Sequence, residues 1–118
     1  MGVQYELVNF SKSEKITFAH LNGNKKHELA GNPAQSSMVT WYLLNNQGCD
    51  IQFVSDSRDD WPFPSGNRSD LESYRDVTLP IIDELIAHNI LKDNGVLFED
   101  EHEPDKVFIK DIVNVWSR

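Results

Sequence analysis

The spacing of apolar residues switches between two periods along this chain, and that switching limits its fold more than any other feature. Apolar and polar residues alternate over 3–7 and again over 15–18. Alternation is typical of strands with one buried face, and the polar segment between the two runs predicts a β-hairpin. The pattern slips at Val8 and Phe10, which indicates a bulge or the end of the first strand.

Helical spacing follows in the next part of the chain. Residues 24–30 predict a short helix that stops at Gly31, and residues 33–44 predict a longer one. Asn32 is placed to cap the longer helix. Pro33 suits its first turn, where a missing N–H costs nothing.

A third helix is predicted over about residues 79–91. Asp76 or Thr78 can cap its start, and the Asn94-Gly95 pair is a typical helix end. The apolar stripe of this segment recurs at helical spacing, which indicates one face packed against a core.

Further strands are predicted at residues 51–53, beginning near Cys49, and as a pair at 96–99 and 107–110. The tail, 109–116, fits both patterns, since its apolar residues keep helical spacing while its valines alternate. We expect core-type residues there, Trp116 included. The pattern predicts a single α+β domain over residues 1–118, mostly antiparallel, with about five strands and two or three packed helices.

Net negative charge is confined to the second part of the chain. Residues 1–48 have a net charge of +1, whereas residues 49–118 have −9, which gives −8 for the 118 residues. An acidic surface repels phosphate and attracts basic partners, so we expect no nucleic-acid binding and a basic protein partner. Uninterrupted apolar runs are only a few residues long, so we also expect no membrane insertion.

Cysteine content and the first residues bear on the compartment. Cys49 is the sole cysteine, which is typical of a reducing compartment. The opening residues lack the charged start and apolar core of a signal peptide. We therefore expect a cytoplasmic protein.

The segment 55–69 is the first candidate site. It is a long polar connection that contains two aromatic residues beside a group of carboxylates: Asp56, Asp59, Asp60, Trp61 and Phe63. Two prolines stiffen the aromatic stretch, and stiff exposed aromatics make good interface anchors. The alternative is that both rings fold back and seal the core beneath the loop, as large aromatics in small domains often do.

The second candidate is the acidic turn 99–105, with five carboxylates and one histidine in seven residues. Asp100, Glu101 and Glu103 are its central acids. Such oxygens suit a hard cation, but the glycine of a calcium-binding loop is absent and no histidine pair is present. A solvated hairpin tip explains the run more simply, so we expect neither a metal nor a cofactor.

These features favour a small, acidic, non-enzymatic binding protein that acts through a protein–protein interface. An immunity-type inhibitor of a nucleic-acid-degrading toxin belongs to this class. The alternative is a metal-dependent enzyme of unknown substrate that uses Asp56, Asp59 and Asp60. A third possibility is a structural subunit that pairs with its own copy, because the sequence leaves the oligomeric state open. No phosphate-binding loop or nucleophile motif supports an ordinary enzyme.

Overall fold

The N-terminal strands form a mixed four-stranded sheet in the computed structural model, which describes residues 3–57 and 59–117. The predicted hairpin is present, with β1 (Tyr5–Asn9) antiparallel to β2 (Glu14–Ile16). On its other side β1 pairs antiparallel with β3 (Ile51–Ser55). The two-residue strand β4 (Arg75–Asp76) runs parallel to β2, which gives the order β3-β1-β2-β4.

Two helices join β2 to β3, close to where the sequence predicts them. They are α1 (Lys26–Gly31) and α2 (Pro33–Leu44). Asn32 occupies the cap position of α2, but its side chain does not cap the helix. Its Nδ2 instead donates to the carbonyl of Asn22 at 2.9 Å, which ties the start of α2 to the preceding loop.

The third helix is shorter than the sequence predicts. It follows a 3₁₀ helix (Arg68–Ser73) and β4, and α3 itself covers Thr78–Ala87. Asn89 then adopts a positive φ of 60°, the left-handed conformation that asparagine tolerates better than most residues. The predicted end at Asn94-Gly95 is therefore wrong, because the chain has already left the helix at His88.

Asn94-Gly95 lies instead within β5 (Leu91–Glu99), which pairs antiparallel with β6 (Phe108–Asn114) in a separate two-stranded sheet. Gly95 has φ +105°, where the pairing shifts register between Asp93 and Val96. A glycine suits such a bulge because it reaches positive φ without steric cost.

The α+β class is confirmed, with packed helices and mostly antiparallel pairing. The described residues contain six strands in two sheets, one more than the approximate number predicted. The tail follows its β pattern as far as Asn114. None of the helices in this part of the chain combines the length and apolar character needed to cross a membrane.

The four-stranded sheet is covered on both faces, and β1 shows why. Its odd-numbered residues, such as Leu7, face the helices and belong to the main core. That core gathers apolar residues from all three helices and both sheets, among them Ile16, Met38, Leu85, Leu91 and Ile112.

The even-numbered residues of β1 face a second, smaller core beneath the segment that follows β3. Val8 is fully buried there with Val54, Phe63 and Leu71. Pairing between β1 and β3 is continuous from residue 5 to residue 9, so the slip at Val8 marks no bulge. The slip instead arises because both faces of β1 are buried.

Candidate functional site

Phe63 is part of the second core. Its side chain is only 7% exposed, and its ring stacks on that of Phe10 with 5.0 Å between centroids. In the structure, therefore, its ring is sealed against the sheet and does not form an exposed anchor. Of the two alternatives left open by the sequence, the core-sealing one holds for Phe63.

Trp61 is half-buried beside Phe63, with 4.9 Å between the two ring centroids. The Trp61 ring also meets Phe10 and Tyr74 edge-on at 6.4 and 6.3 Å. Its indole Nε1 donates to the carbonyl of Ser65 at 2.8 Å, so its polar atom is satisfied within the loop. Trp61 closes the edge of the second core, and part of its surface remains open to solvent.

The three aspartates of this loop differ in their surroundings. Asp56 and Asp59 are exposed, whereas Asp60 Oδ2 accepts the backbone N–H of Ser55 at 2.7 Å. Hydrogen bonds from Ser55 hold the pKa of the Asp60 carboxyl below its usual value. No three His, Cys, Asp or Glu residues in 3–57 and 59–117 form a group suited to a metal ion. The described geometry thus gives the metal-dependent alternative no ligand set.

The β5 strand of the β5–β6 hairpin is exposed over nearly its whole length. All eight residues from Lys92 to Glu99 are exposed, although neighbouring residues in a strand point to opposite faces. Leu97 is 62% exposed and Phe98 is 55% exposed, and Val96 and Val107 are exposed beside them. The outer half of this hairpin, residues 96–108, is therefore a ribbon with a run of exposed apolar side chains, and its pairing shifts register between Val96 and Phe98. We call it the outer ribbon.

The base of the hairpin is held firmly. Leu91 and Ile112, on neighbouring strands, are both buried in the main core. At the first residue of β6, the ring of Phe108 stacks on His20 with 3.8 Å between centroids. The backbone N–H of Lys110 donates to the carbonyl of His20 at 2.8 Å. The ribbon is thus carried on an ordered stem.

The acidic turn forms the tip of this ribbon. Asp100 Oδ1 accepts the backbone N–H groups of His102 and Glu103 at 2.8 and 3.1 Å, which shapes the turn. The remaining acids, Glu99, Glu101, Glu103 and Asp105, are exposed. Residues 91–114 contain seven carboxylates and three lysines, a net charge of −4. The predicted hairpin tip is present, and it adjoins the exposed apolar residues of the outer ribbon.

An apolar groove lies elsewhere, between the helices and the outer strand of the four-stranded sheet. Its volume is about 470 Å³. Tyr5 and Phe53 form the sheet side, and residues of the first two helices form the other: Lys26, Leu29, Ala30, Ser36, Val39 and Thr40. Nothing in the sequence predicts this groove, because strand alternation shows that a side chain faces the helices but not that the helices leave it uncovered.

A second hollow lies on the opposite face of the sheet. Glu6, Lys15 and Arg68 line it with other residues of the 3₁₀ segment. Lys15 Nζ is already bound to the carbonyl of Leu71 at 2.8 Å. Glu6 Oε1 is buried without a hydrogen-bond partner among the described residues. This mixed-charge hollow shows no arrangement of base, nucleophile and orienting group.

Comparisons with known proteins add no assignment to these surfaces. No protein-family model, no curated protein and no solved structure matches the chain.

Proposed function

We propose that this protein is a small, acidic, non-enzymatic binding protein whose contact surface is the outer ribbon. The observation that carries the proposal is the exposure of Val96, Leu97 and Phe98, three consecutive apolar residues of β5. Isolated two-stranded ribbons are marginally stable in water, and contiguous exposed apolar residues typically mark interaction sites. A partner that covers the ribbon would remove this surface from water.

Charge defines the chemistry of the partner. The ribbon ends in five carboxylates over residues 99–105, within a chain of net charge −8. A basic protein surface that surrounds an apolar cleft complements both features, whereas nucleic acid matches neither. The acids would mainly accelerate association, and the buried apolar side chains would slow dissociation.

An immunity-type inhibitor of a basic, nucleic-acid-degrading toxin is the specific form of this function that we favour. Such toxins present cationic clefts for phosphate, which an acidic ribbon can occupy. The lone cysteine, half-buried Cys49, suits a reducing compartment, and we place the interaction in the cytoplasm. Among the residues predicted for the interface, Asp100, Glu101 and Glu103 remain in the proposal, together with exposed Asp56 and Asp59 as outer charges.

Site-specific photo-crosslinking in living cells tests this proposal. A photo-reactive residue is placed at Leu97, which is 62% exposed, and in a matched control at Leu44, a helical leucine that is 61% exposed. We expect the Leu97 probe alone to capture a basic protein. The captured protein is then purified, and its affinity for wild type, Leu97→Ser and Leu44→Ser is compared. Leu97→Ser should weaken binding by about tenfold or more, and Leu44→Ser should not.

The charge contribution is tested with the same purified pair. Replacing Glu101, Glu103 and Asp105 by their amides should slow association and reduce its salt dependence, with little effect on dissociation. The proposal is wrong if the Leu97 probe captures nothing beyond what Leu44 captures. It is equally wrong if the captured partner is acidic or binds Leu97→Ser as tightly as wild type. If the partner is a nuclease, inhibition of its cleavage by the wild type distinguishes an inhibitor from an adaptor.

A further inference from the structure

One edge of the four-stranded sheet is protected and the other is not. The β4 edge is two residues long and both are charged, Arg75 and Asp76. The β3 edge is five residues long and reads Ile-Gln-Phe-Val-Ser, with no charge, proline or glycine. Natural sheets usually shield an edge with such residues, because its free N–H and C=O groups pair readily with another strand. The β3 edge lacks this protection.

The backbone hydrogen bonds at the two ends of the β1–β3 pair show which N–H and C=O groups of β3 are free. Asp56 N–H donates to the Gln4 carbonyl at 2.9 Å, and Phe10 N–H donates to the Asp50 carbonyl at 2.9 Å. Even-numbered residues of β3 therefore bond to β1, and the N–H and C=O groups of Ile51 and Phe53 point outward.

The free stretch has a defined end. The next outward N–H along the strand belongs to Ser55, and the Asp60 carboxylate already accepts it at 2.7 Å. The available edge therefore spans the backbone of Ile51 and Phe53, four hydrogen-bonding groups in all. Asp60 acts as a stop that limits how far an added strand can extend along β3.

The apolar groove borders this same edge. Phe53 contributes its backbone to the edge and its side chain, which is 40% exposed, to the groove. Its ring meets that of Tyr5 edge-on, with 6.2 Å between centroids, and Leu29 and Val39 stand across the groove. A strand bonded to Phe53 would direct alternate side chains toward the helices, into a volume of about 470 Å³.

The charge that lines the groove indicates which polar group a bound strand would carry beside its apolar side chain. Lys26 is the only charged residue that lines the groove, and its side chain makes no hydrogen bond or ion pair within the described part of the chain. All lining residues except Phe53 come from residues 1–48, where the net charge is +1. A carboxylate is therefore the complementary group at this site, in contrast to the acidic remainder of the molecule.

We propose that the β3 edge and its groove form a docking site for an extended peptide segment of a partner protein. The segment adds to β3 as a fifth strand through Ile51 and Phe53, places an apolar side chain in the groove and sets an acidic side chain beside Lys26. This site is separate from the outer ribbon and does not depend on the function proposed for it.

A second copy of this chain is a weaker occupant. Each copy has a net charge of −8, which opposes self-association. In an antiparallel β3–β3 pairing centred on Phe53, Asp50 of each copy faces Asp56 of the other. Like charges would then meet at both ends of the new ladder.

Selection from a random octapeptide display library on the full-length protein tests the proposal. We expect enriched peptides to alternate apolar with other residues and to include one acid. An N-methyl scan of a synthetic enriched peptide reports on the hydrogen bonds while the protein stays intact. Methylation at every second position should weaken binding by about tenfold or more, and methylation between those positions should have little effect.

Protein variants locate the peptide. Phe53→Asp should abolish binding while Leu44→Asp, an exposed helical control, preserves it; thermal melts verify that both variants fold. Lys26→Glu should lower the affinity for peptides that contain the acid and leave unchanged the affinity for peptides in which the acid is replaced by its amide. Amide exchange at Ile51 and Phe53 should slow when the peptide binds.

Several results would overturn the proposal. They are the absence of any enriched peptide, an N-methyl scan without alternation, and peptide binding that survives in Phe53→Asp. Loss of peptide binding in Leu97→Ser would place the peptide on the outer ribbon instead. A native mass of two chains, with β3 amides protected in the absence of peptide, would identify a second copy as the occupant.

Discussion

The loop that follows β3 and the outer ribbon differ from what their sequences indicate: the loop aromatics are mostly buried, and the apolar residues of the ribbon are exposed. The loop is polar, rich in aspartate and carries stiff aromatics, yet Phe63 is buried and Trp61 half-buried against the sheet. The ribbon has the short uninterrupted apolar runs of ordinary buried strands, yet Leu97 and Phe98 are exposed. The region with the appearance of an interface is mostly closed, and the region with the appearance of a core is open.

The difference comes from what lies opposite each element. Val8, Val54 and Phe10 present an apolar face that none of α1, α2 and α3 covers, so the loop aromatics find partners across the sheet. Beyond Leu91 the residues of β5 are exposed as far as Glu99, so their apolar side chains lack the cover that the loop aromatics have. Whether an aromatic side chain is buried therefore depends on a layer that its own segment does not encode.

Removal of Phe63 is the strongest test of this contrast. Phe63→Ala deletes a buried ring that stacks on Phe10, so we expect a loss of about 3–5 kcal/mol in the free energy of unfolding. Urea denaturation measures it. A loss below about 1 kcal/mol would mean that the loop does not seal the sheet, and the contrast with the ribbon would fail.

Trp61→Ala sharpens the comparison, because this ring is half-buried. We expect it to lose about 1–3 kcal/mol, less than Phe63→Ala, since part of the indole surface already contacts water. Trp61→Phe should recover part of the loss, because a phenyl ring keeps some of the packing while the bond to Ser65 and the second ring of the indole are lost. Destabilisation as large as that of Phe63→Ala would show that the loop is closed more completely than its exposure indicates.

Local signals in the sequence predict most of the fold. The alternation of the first hairpin, Pro33 at the start of α2 and the β-branched tail each specify an element that the structure contains. The end of α3 could not be predicted, because Asn89 in the left-handed conformation ends the helix before Asn94-Gly95. Trp116, expected to be a core residue, is exposed just beyond the end of β6.

The candidate sites are harder to predict than the fold. The break in alternation at Val8 and Phe10 is the one signal for a second buried face of the sheet. The same break is equally consistent with a bulge. The β3 edge and its groove depend on sheet order and on where α1 and α2 leave Phe53 uncovered. Both are tertiary facts that periodicity within a segment does not contain.

Acid should loosen the loop through Asp60. Its pKa is lowered in the folded state by hydrogen bonds from Ser55, so its stabilising effect is present above the ordinary aspartate pKa and is lost as pH falls through the folded value. Wild type should therefore melt at a higher temperature than Asp60→Asn, and this difference should shrink as the pH falls from about 5 to about 3. Asp59→Asn, a change at an exposed neighbour, is the control. A constant difference across this range would show that the Asp60 charge does not hold the loop.

The smallest effect is expected on the ribbon, where Phe98→Ala is the chemical match of Phe63→Ala. Phe98 is more than half exposed, so we expect its truncation to change the free energy of unfolding by less than about 0.5 kcal/mol. The same variant should lose affinity for a partner that covers the ribbon, because the ring is then buried only in the complex. Urea denaturation of the free protein and titration with the captured partner measure the two quantities separately. If Phe98→Ala instead destabilises the free protein as strongly as Phe63→Ala, the ribbon belongs to the core of this chain and has no exposed face to offer a partner.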